Sequence, residues 1–224
     1  EIANLFVSAL ERINPDIITF SEASLTPILN VIIDELGMRY AVFPSYGCWH
    51  GVVLTKYRIK RSIARSLSRR YWSRMLFSRH WGTVLLDTDL GQIVIHSLHL
   101  YPDPKGSIIN REVREVARVV RREILMGKSV IVQGDLNHEP TDPVYKVWSK
   151  TGLIDAFEAV GFGSGETFKS DAPSRRIDYI LVGGPLRERL KECRTVREKP
   201  FMKLRKGDLT YSLSDHLPVT AMFT

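Results

Sequence analysis

The sequence predicts an α/β fold, because short buried strands alternate along it with helices that are apolar on one face. The clearest pair is a helix over residues 110–126 followed by the β-branched run 130–132, which Gly134 ends where a turn is needed. Two polar side chains, Asp135 and Asn137, come directly after that strand. Ligands of α/β proteins bind beyond the ends of strands, so this stretch is the first candidate for a functional site.

Asp135 and Asn137 stand two residues apart, so their side chains can point the same way from an extended or turning backbone. A carboxylate and a carboxamide would then converge just beyond the strand. The alternative is that the two residues form an Asx-turn and cap the next helix. Taken by themselves, they leave both interpretations open.

Length and composition limit the class of protein. At 224 residues the chain is long enough for one large domain with a sizeable core. Its two cysteines, Cys48 and Cys193, lack the paired spacing of a structural zinc site and fit a reducing compartment, so we expect a cytoplasmic protein without disulfides. No apolar run approaches the ~18 residues of a membrane span.

The chain is basic, with a formal net charge of +7, and much of the positive charge lies in one stretch. Residues 36–86 contain no acidic residue, while arginines and lysines alternate there with aromatic side chains. Such a surface would attract a polyanion, and its rings could stack on bases or lie at a membrane interface. We take Arg69, Arg70, Trp72 and Arg74 as its candidate substrate-binding residues. The alternative is a solvated basic face above core aromatics.

The first half of the chain contains two predicted helices and several strands. Apolar residues recur at helical spacing in residues 2–12 and 25–36, and Gly37 ends the second helix. Strands are predicted at 17–20, 40–43, 51–54, 83–87 and 92–100, the last two joined by a tight turn. His96 and His99 stand three residues apart on the last strand and so lie on opposite faces. At most one of them should face a given site.

The second half opens with the helix at 110–126 and the strand that precedes Asp135. After these the sequence predicts a helix at 145–151, a short element at 154–157, a loop at 161–165, a strand at 176–182, a basic helical or irregular region at 186–196 and a terminal strand at 217–223. Asp178 lies inside the apolar strand at 176–182. Burying a carboxylate without a partner is costly, so Asp178 must have one.

Polar side chains therefore accompany several strands: Glu22, Asp135 with Asn137, Asp178, and Asp215 with His216. A histidine of the strand at 92–100 would join them. Carboxylate oxygens combined with imidazole suit Mg²⁺ or Mn²⁺ and not zinc. Glu22 by itself is equally explained as a helix-start residue that the helix dipole favours.

Taken in order, these segments resemble the motifs of the endonuclease/exonuclease/phosphatase superfamily. That metal-dependent group includes deoxyribonuclease I, abasic-site endonucleases, inositol-polyphosphate 5-phosphatases and neutral sphingomyelinases. The matching stretches are Pro15-Asp16-Ile17-Ile18 with Ser21-Glu22 ("PDII..QE", with Ser21 in place of glutamine), Ser97–Leu100 ("NTHL"), Gly134–Asn137 ("GDFN"), Arg176–Leu181 ("RIDYIL") and Ser214–Pro218 ("SDHxP"). The resemblance covers residues 15–223.

The resemblance implies a four-layer α/β sandwich, in which two mixed β-sheets pack face to face between outer helices. It also implies hydrolysis of a phosphate ester by water, without a covalent enzyme intermediate. Glu22 would bind the divalent metal, Mg²⁺ or Mn²⁺, with Asp215 near the same ion or a second one. Asp135 would orient or deprotonate the water, and Asn137 would donate to a phosphate oxygen.

The same resemblance assigns the remaining residues. His216 would act on the phosphate or the water, and Asp178 would hold its tautomer, which explains the carboxylate predicted inside a strand. His99 would be the second histidine of the site in preference to His96. The family normally opens with a strand that ends in an asparagine near the metal, whereas this chain begins within the following helix. We expect that strand either to precede Glu1 or to be lacking from this copy.

Three functions are compatible with these features. The first is a Mg²⁺-dependent phosphodiesterase that acts on nucleic acid, favoured by the basic and aromatic stretch 36–86. The second is a phosphatase or phosphodiesterase of anionic lipid or inositol head groups, with the basic face on a membrane. The third is a non-catalytic module that binds polyanions.

Overall fold

The computed structural model describes residues 1–72, 76–202, 204–206 and 209–224, with the side chains of 1–71, 76–202 and 212–224. The helices are α1 (Ile2–Ile13), α2 (Pro27–Leu36), α3 (Arg69–Trp72), α4 (Ser107–Leu125), α5 (Lys146–Thr151) and α6 (Ala156–Val160). The strands are β1 (Ile17–Ser21), β2 (Arg39–Phe43), β3 (Gly51–Thr55), β4 (Arg58–Ala64), β5 (Trp81–Thr88), β6 (Gly91–His99), β7 (Ser129–Asp135), β8 (Leu153–Asp155), β9 (Asp178–Gly183), β10 (Leu190–Thr195), β11 (Leu204–Lys206), β12 (Leu209–Tyr211) and β13 (Val219–Phe223). Short 3₁₀ turns cover Pro143–Tyr145 and Gly184–Arg189.

The larger sheet has six strands in the order β4-β5-β6-β7-β9-β8. Its neighbouring strands are antiparallel except for β6 and β7, which run parallel and are joined through α4. A parallel pair needs such a crossover, and the helix covers one face of the sheet. As a result β6 and β7 both end at the same edge, with His99 in register with Asp135.

The second sheet layer consists of the antiparallel strands β1-β3-β2 and the pair β10-β13. Apolar side chains from both sheet layers share one core, which includes Phe43, Val53, Leu86, Ile95 and Cys193. On the outer side of the large sheet, α4 and α5 pack over a second core. On the outer side of the smaller layer, α1 and α2 pack against β3. The predicted α/β sandwich of two sheet layers between helices is therefore confirmed.

Most predicted elements are present, with three differences. The region predicted at 186–196 as helical or irregular contains β10, because β13 pairs with it along the edge of the second layer. The strand predicted from 176 begins at Asp178, so this carboxylate lies at the start of β9 and not inside it. The basic stretch contains β4 and α3, for which no element was predicted.

Helix ends follow the local sequence. Thr26 caps α2 by accepting a hydrogen bond from the backbone N–H of Leu29 at 3.3 Å, and Pro27 starts the helix two residues later than the periodicity indicated. Gly37 ends it in the left-handed conformation at φ 59°. Among the described residues, none of the helices has the length and apolar character needed to cross a bilayer.

Candidate active site

Strand register brings three predicted site residues side by side on the large sheet. His99 of β6 is in register with Asp135 of β7, and Asp135 is in register with Asp178 of β9. Residues directly opposite each other on neighbouring strands project to the same face. A cleft of about 1070 Å³ passes over this edge and is also lined by Glu22, beyond β1, and by the pair before β13, Asp215 and His216.

Asp135 is the buried centre of the site. Its Oδ1 accepts a hydrogen bond from the backbone N–H of Asn137 at 2.9 Å, and its Oδ2 accepts one from Nδ2 of Asn137 at 3.0 Å. The predicted convergence of carboxylate and carboxamide is thus present. The Asx-turn is present too, but the residues that follow have no helix for it to cap. Burial and the neighbouring Asp178 raise the pKa of Asp135 to about 7.

Asn137 lies beside Asp135. The two hydrogens of its Nδ2 are donated to Oδ2 of Asp135 and to the backbone carbonyl of Leu100, at 3.0 and 2.9 Å. In this arrangement Asn137 holds the Asp135 carboxylate in place, and it does so from a left-handed backbone conformation with φ 51°. Donation from Asn137 to a phosphate oxygen stays a prediction.

His99 faces Asp135 across the two strands. Its Nε2 lies 3.2 Å from Oδ2 of Asp135 and 3.8 Å from Oε1 of Glu22. Burial, together with the charge of Arg79, lowers the pKa of His99 to about 2, so the imidazole is neutral. Its Nδ1 is buried without a hydrogen-bond partner among the described residues. His96 points the other way and contacts Glu123 of α4 at 2.7 Å, as the strand geometry predicts.

Arg79 is a site residue that sequence reasoning did not single out. It donates to Nε2 of His99, and its Nη1 lies 3.7 Å from Oε1 of Glu22. Its guanidinium also stacks on Trp49, 4.4 Å from the ring centroid. In the sequence Arg79 is one of many arginines in the acid-free stretch, and nothing in its spacing distinguishes it. Tertiary structure alone gives it this position.

His216 and Asp178 form a hydrogen-bonded pair. Nδ1 of His216 lies 2.8 Å from Oδ2 of Asp178. Burial by itself would lower the pKa of His216, but the hydrogen bond and charge of Asp178, with the charges of Asp135 and Asp215, outweigh it and raise the pKa to about 9. The ring is therefore protonated near neutral pH, and its other nitrogen is not engaged by Asp178.

Glu22 supplies the clearest position for a divalent cation. It follows β1 in a left-handed conformation with φ 56°, and half of its side chain is exposed to the cleft. Within the described residues, no three His, Cys, Asp or Glu side chains converge as a complete metal cage. Mg²⁺ commonly takes one or two carboxylates and fills its remaining positions with water and substrate phosphate. Glu22, with Asp215 on the same cleft, fits that mode of binding.

Two of the four predicted substrate-binding residues, Arg69 and Arg70, lie outside the cleft. Arg69 and Arg70 are exposed on α3, and Nη2 of Arg70 lies 3.4 Å from Oε2 of Glu115 on α4. Neither arginine lines the cleft. The side chain of Trp72 and the whole of Arg74 are outside the described residues. A role of these four residues in binding remains a prediction.

Comparison with known proteins places these features in context. A sequence model of the endonuclease/exonuclease/phosphatase family matches residues 3–216. No curated protein sequence matches the chain.

Solved structures resemble almost the whole chain at low sequence identity. A mannosyl-6-phosphatase from Bacteroides thetaiotaomicron is 16% identical with a TM-score of 0.77, over 99% of this chain and 90% of that chain. Truncated TDP2 from Caenorhabditis elegans is 18% identical with a TM-score of 0.69, over 99% and 90%. Beta toxin from Staphylococcus aureus is 17% identical with a TM-score of 0.73, over 100% and 92%. These matches support the fold.

Proposed function

Because this chain belongs to the endonuclease/exonuclease/phosphatase family, we propose that it hydrolyses phosphodiester bonds with an activated water molecule and that its substrate is nucleic acid. One observation carries the proposal: a carboxyl group and an imidazole with raised pKa values, suited to act as base and acid, line the same cleft. Asp135 has its pKa raised to about 7 and can accept a proton near neutral pH. His216 has its pKa raised to about 9 and can donate one. A pair in which one group can accept a proton and the other can donate one near neutral pH suits acid–base catalysis.

In this proposal Asp135 accepts the proton of the attacking water. Asn137 fixes the carboxylate through two hydrogen bonds, so that one orientation is maintained as the proton moves. His99 lies beside the same carboxylate as a neutral imidazole and adds no charge to compete with it. His216, held through Nδ1 by Asp178, protonates the leaving oxygen from its second ring nitrogen.

In this proposal Arg79 donates to the phosphate. In-line attack on a phosphodiester increases the negative charge on the phosphoryl oxygens, and fixed cations stabilise it. The guanidinium of Arg79 is partly buried. Its stacking on Trp49 and its contact with His99 hold it in one place. A preorganised cation in a poorly solvated position stabilises such charge more strongly than one in water.

We further propose that the reaction depends on Mg²⁺ or Mn²⁺. When bound, the ion would supply additional positive charge to the phosphate oxygens. Glu22 would hold it, with Asp215, which lines the same cleft, as a second carboxylate. Nη1 of Arg79 lies 3.7 Å from Oε1 of Glu22 and orients that carboxylate.

Trp49 and the charge of the chain support nucleic acid as the substrate class. Trp49 is 38% exposed, and its ring lies 6.2 Å from that of His99, so an aromatic surface adjoins the proposed phosphate position. A base could stack there while its phosphate contacts Arg79. The net charge of +7 favours association with a polyanion.

The test is a cleavage assay of plasmid DNA, single-stranded DNA and a generic phosphodiester, each with Mg²⁺, Mn²⁺ or chelator. Asp135→Ala and His216→Ala should abolish turnover, whereas Asp87→Ala, a carboxylate change at the far end of β5, should leave it unchanged. Cleavage of the generic ester with DNA untouched would reject nucleic acid as the substrate. Binding of DNA without any turnover would reject catalysis and favour a polyanion-binding module.

A second candidate, hydrolysis of anionic lipid head groups, is favoured by the exposed face of α4. Five exposed arginines recur there at helical spacing: Arg111, Arg114, Arg118, Arg121 and Arg122. The same face ends in Leu125 and Met126, which are 77% and 62% exposed, more than any other large apolar side chain described. Basic residues beside exposed apolar ones suit the surface of an anionic bilayer.

Vesicle assays distinguish this candidate. Hydrolysis of a phospholipid in anionic vesicles, reduced by Leu125→Ser with Met126→Ser, would select lipids over nucleic acid. If the protein instead hydrolyses DNA, and these two substitutions do not change the rate of DNA hydrolysis, the result would select nucleic acid.

A further inference from the structure

We infer that Glu112 is a positioning residue, which fastens the segments that carry Arg79 and His99 to helix α4. The inference rests on the proposed function, in which Arg79 acts at the phosphate and His99 lies beside the Asp135 carboxylate. Glu112 was not among the site residues expected from the sequence, where it is one of three glutamates within the predicted helix at 110–126. It lines neither the cleft nor any surface.

The contacts of Glu112 are to backbone on both sides of the site. Its Oε1 accepts a hydrogen bond from the backbone N–H of Phe77 at 3.1 Å, and its Oε2 accepts one from Tyr101 at 2.9 Å. Phe77 precedes Arg79 by two residues, and Tyr101 follows His99 by two. One carboxylate therefore connects the entry to β5 with the exit from β6.

The first of these segments has an uncommon backbone conformation. Phe77 is left-handed with φ 64°, which is uncommon for a bulky residue and must be maintained by its surroundings. Tyr101 lies in the irregular segment that leads from β6 to α4. Without Glu112, the N–H of Phe77 would be buried and unpaired, and the N–H of Tyr101 would lose its acceptor.

A carboxylate suits this position better than an amide. Glu112 is 1% exposed, and burial raises its pKa to about 7, although its two backbone hydrogen bonds and the charge of Arg79 act in the opposite direction. Two N–H donors require two acceptor oxygens, and glutamine has only one. When ionised, Glu112 also attracts the guanidinium of Arg79 electrostatically. A residue kept only for packing would not need a buried charge.

The other two glutamates of α4 have different partners. Glu115 contacts Arg70 and Arg118 at the surface. Glu123 contacts His96 and Arg65 on the far side of the large sheet from the site. Glu123 is a matched control, because it is a largely buried glutamate of the same helix that engages charged partners but has no connection to Arg79.

The test is a double-mutant cycle. Glu112→Gln should raise KM for a phosphodiester about tenfold, because Arg79 is released, with a smaller change in kcat. Arg79→Ala should have the larger effect, and the double variant should be no worse than Arg79→Ala alone, because Glu112 acts through Arg79. Glu123→Gln should lower the melting temperature and leave KM unchanged. Additive effects of Glu112→Gln and Arg79→Ala would overturn the inference.

The inference is separable from the proposed function. If the wild-type protein hydrolyses no ester, the proposed function fails, and the same cycle is measured on the binding of inorganic phosphate by calorimetry. A lower affinity of Glu112→Gln for phosphate would support the positioning role if the double variant also binds phosphate no more weakly than Arg79→Ala. Independent losses, or phosphate binding that does not depend on Arg79, would reject it. Whether or not the wild-type protein hydrolyses an ester, the amide hydrogens of Phe77 and Tyr101 should exchange faster in Glu112→Gln than in wild type.

Discussion

Nδ1 of His216 lies 2.8 Å from Oδ2 of Asp178, although 38 residues separate them along the chain. Asp178 begins β9 in the large sheet, and His216 precedes β13 in the second layer. The contact therefore spans the two sheet layers. It is a charged hydrogen bond in a partly buried position, so it contributes both to the proposed chemistry and to the pH dependence of stability.

The first prediction concerns that pH dependence. Folding raises the pKa of His216 from 6.5 to about 9, so its contribution to stability is fully present below pH 6.5 and is lost as the pH rises through 9. The free energy of unfolding of wild type should exceed that of His216→Gln by about 1–3 kcal/mol near pH 6, and the difference should shrink towards pH 10. Urea unfolding in chelator at both pH values measures it. A difference that grows with pH would contradict the assigned pair.

The second prediction is that Asp135→Asn loses activity and changes the pH dependence of stability. Activity should fall by about 10²–10⁴-fold, because the amide cannot accept the proton of water. Folding raises the pKa of Asp135 from 3.8 to about 7, so stability is lost as the pH rises through 7 and the carboxylate ionises in a buried position. Between about pH 4 and pH 8 the free energy of unfolding of wild type should therefore fall by about 1–3 kcal/mol relative to that of the variant. Wild-type activity should rise with pH through about 7. A fully active variant, or a difference in stability that does not change with pH, would refute this assignment.

The third prediction separates the charge of Arg79 from its geometry. Arg79→Ala should lower kcat/KM by about 10²–10³-fold, since a preorganised donor to the phosphate is removed. Arg79→Lys keeps the charge but loses the planar stacking on Trp49, so it should recover only part of the activity. Arg58→Ala, an exposed change on β4, serves as the control. Full recovery by lysine would indicate that charge alone matters.

The fourth prediction concerns metal binding. Calorimetric titration with Mn²⁺ should show a site that Glu22→Gln weakens strongly and Glu139→Gln does not, since Glu139 pairs instead with Arg175. Chelator should remove activity, and Mg²⁺ or Mn²⁺ should restore it. Equal Mn²⁺ affinity in wild type and Glu22→Gln would remove Glu22 from the metal site.

Much of the fold follows from local pattern. The sequence pattern identified the helices α1, α2 and α4 and the strands β5, β6, β7 and β9 of the large sheet, because each of these elements is buried against its neighbours and its apolar residues show this. β10 was missed because LKECRT carries charged and polar residues, and its extended conformation depends on pairing with β13. Pairing between segments distant in the chain leaves little trace in the sequence of either one.

The sequence by itself determined most of the strands and helices and the carboxylates and histidines near strand ends, since these are local features. The two sheet layers between helices were implied by the resemblance of its motifs to a known family. Tertiary structure alone decided what each of these side chains does. In the folded chain both amide hydrogens of Asn137 are donated to neighbouring oxygens. Arg79 and Trp49 lie beside His99, and Glu112 holds the backbone near them. The reason is physical. Which hydrogen bonds a side chain forms, and how far its pKa moves, depend on neighbours that only the packed chain brings within a few ångströms.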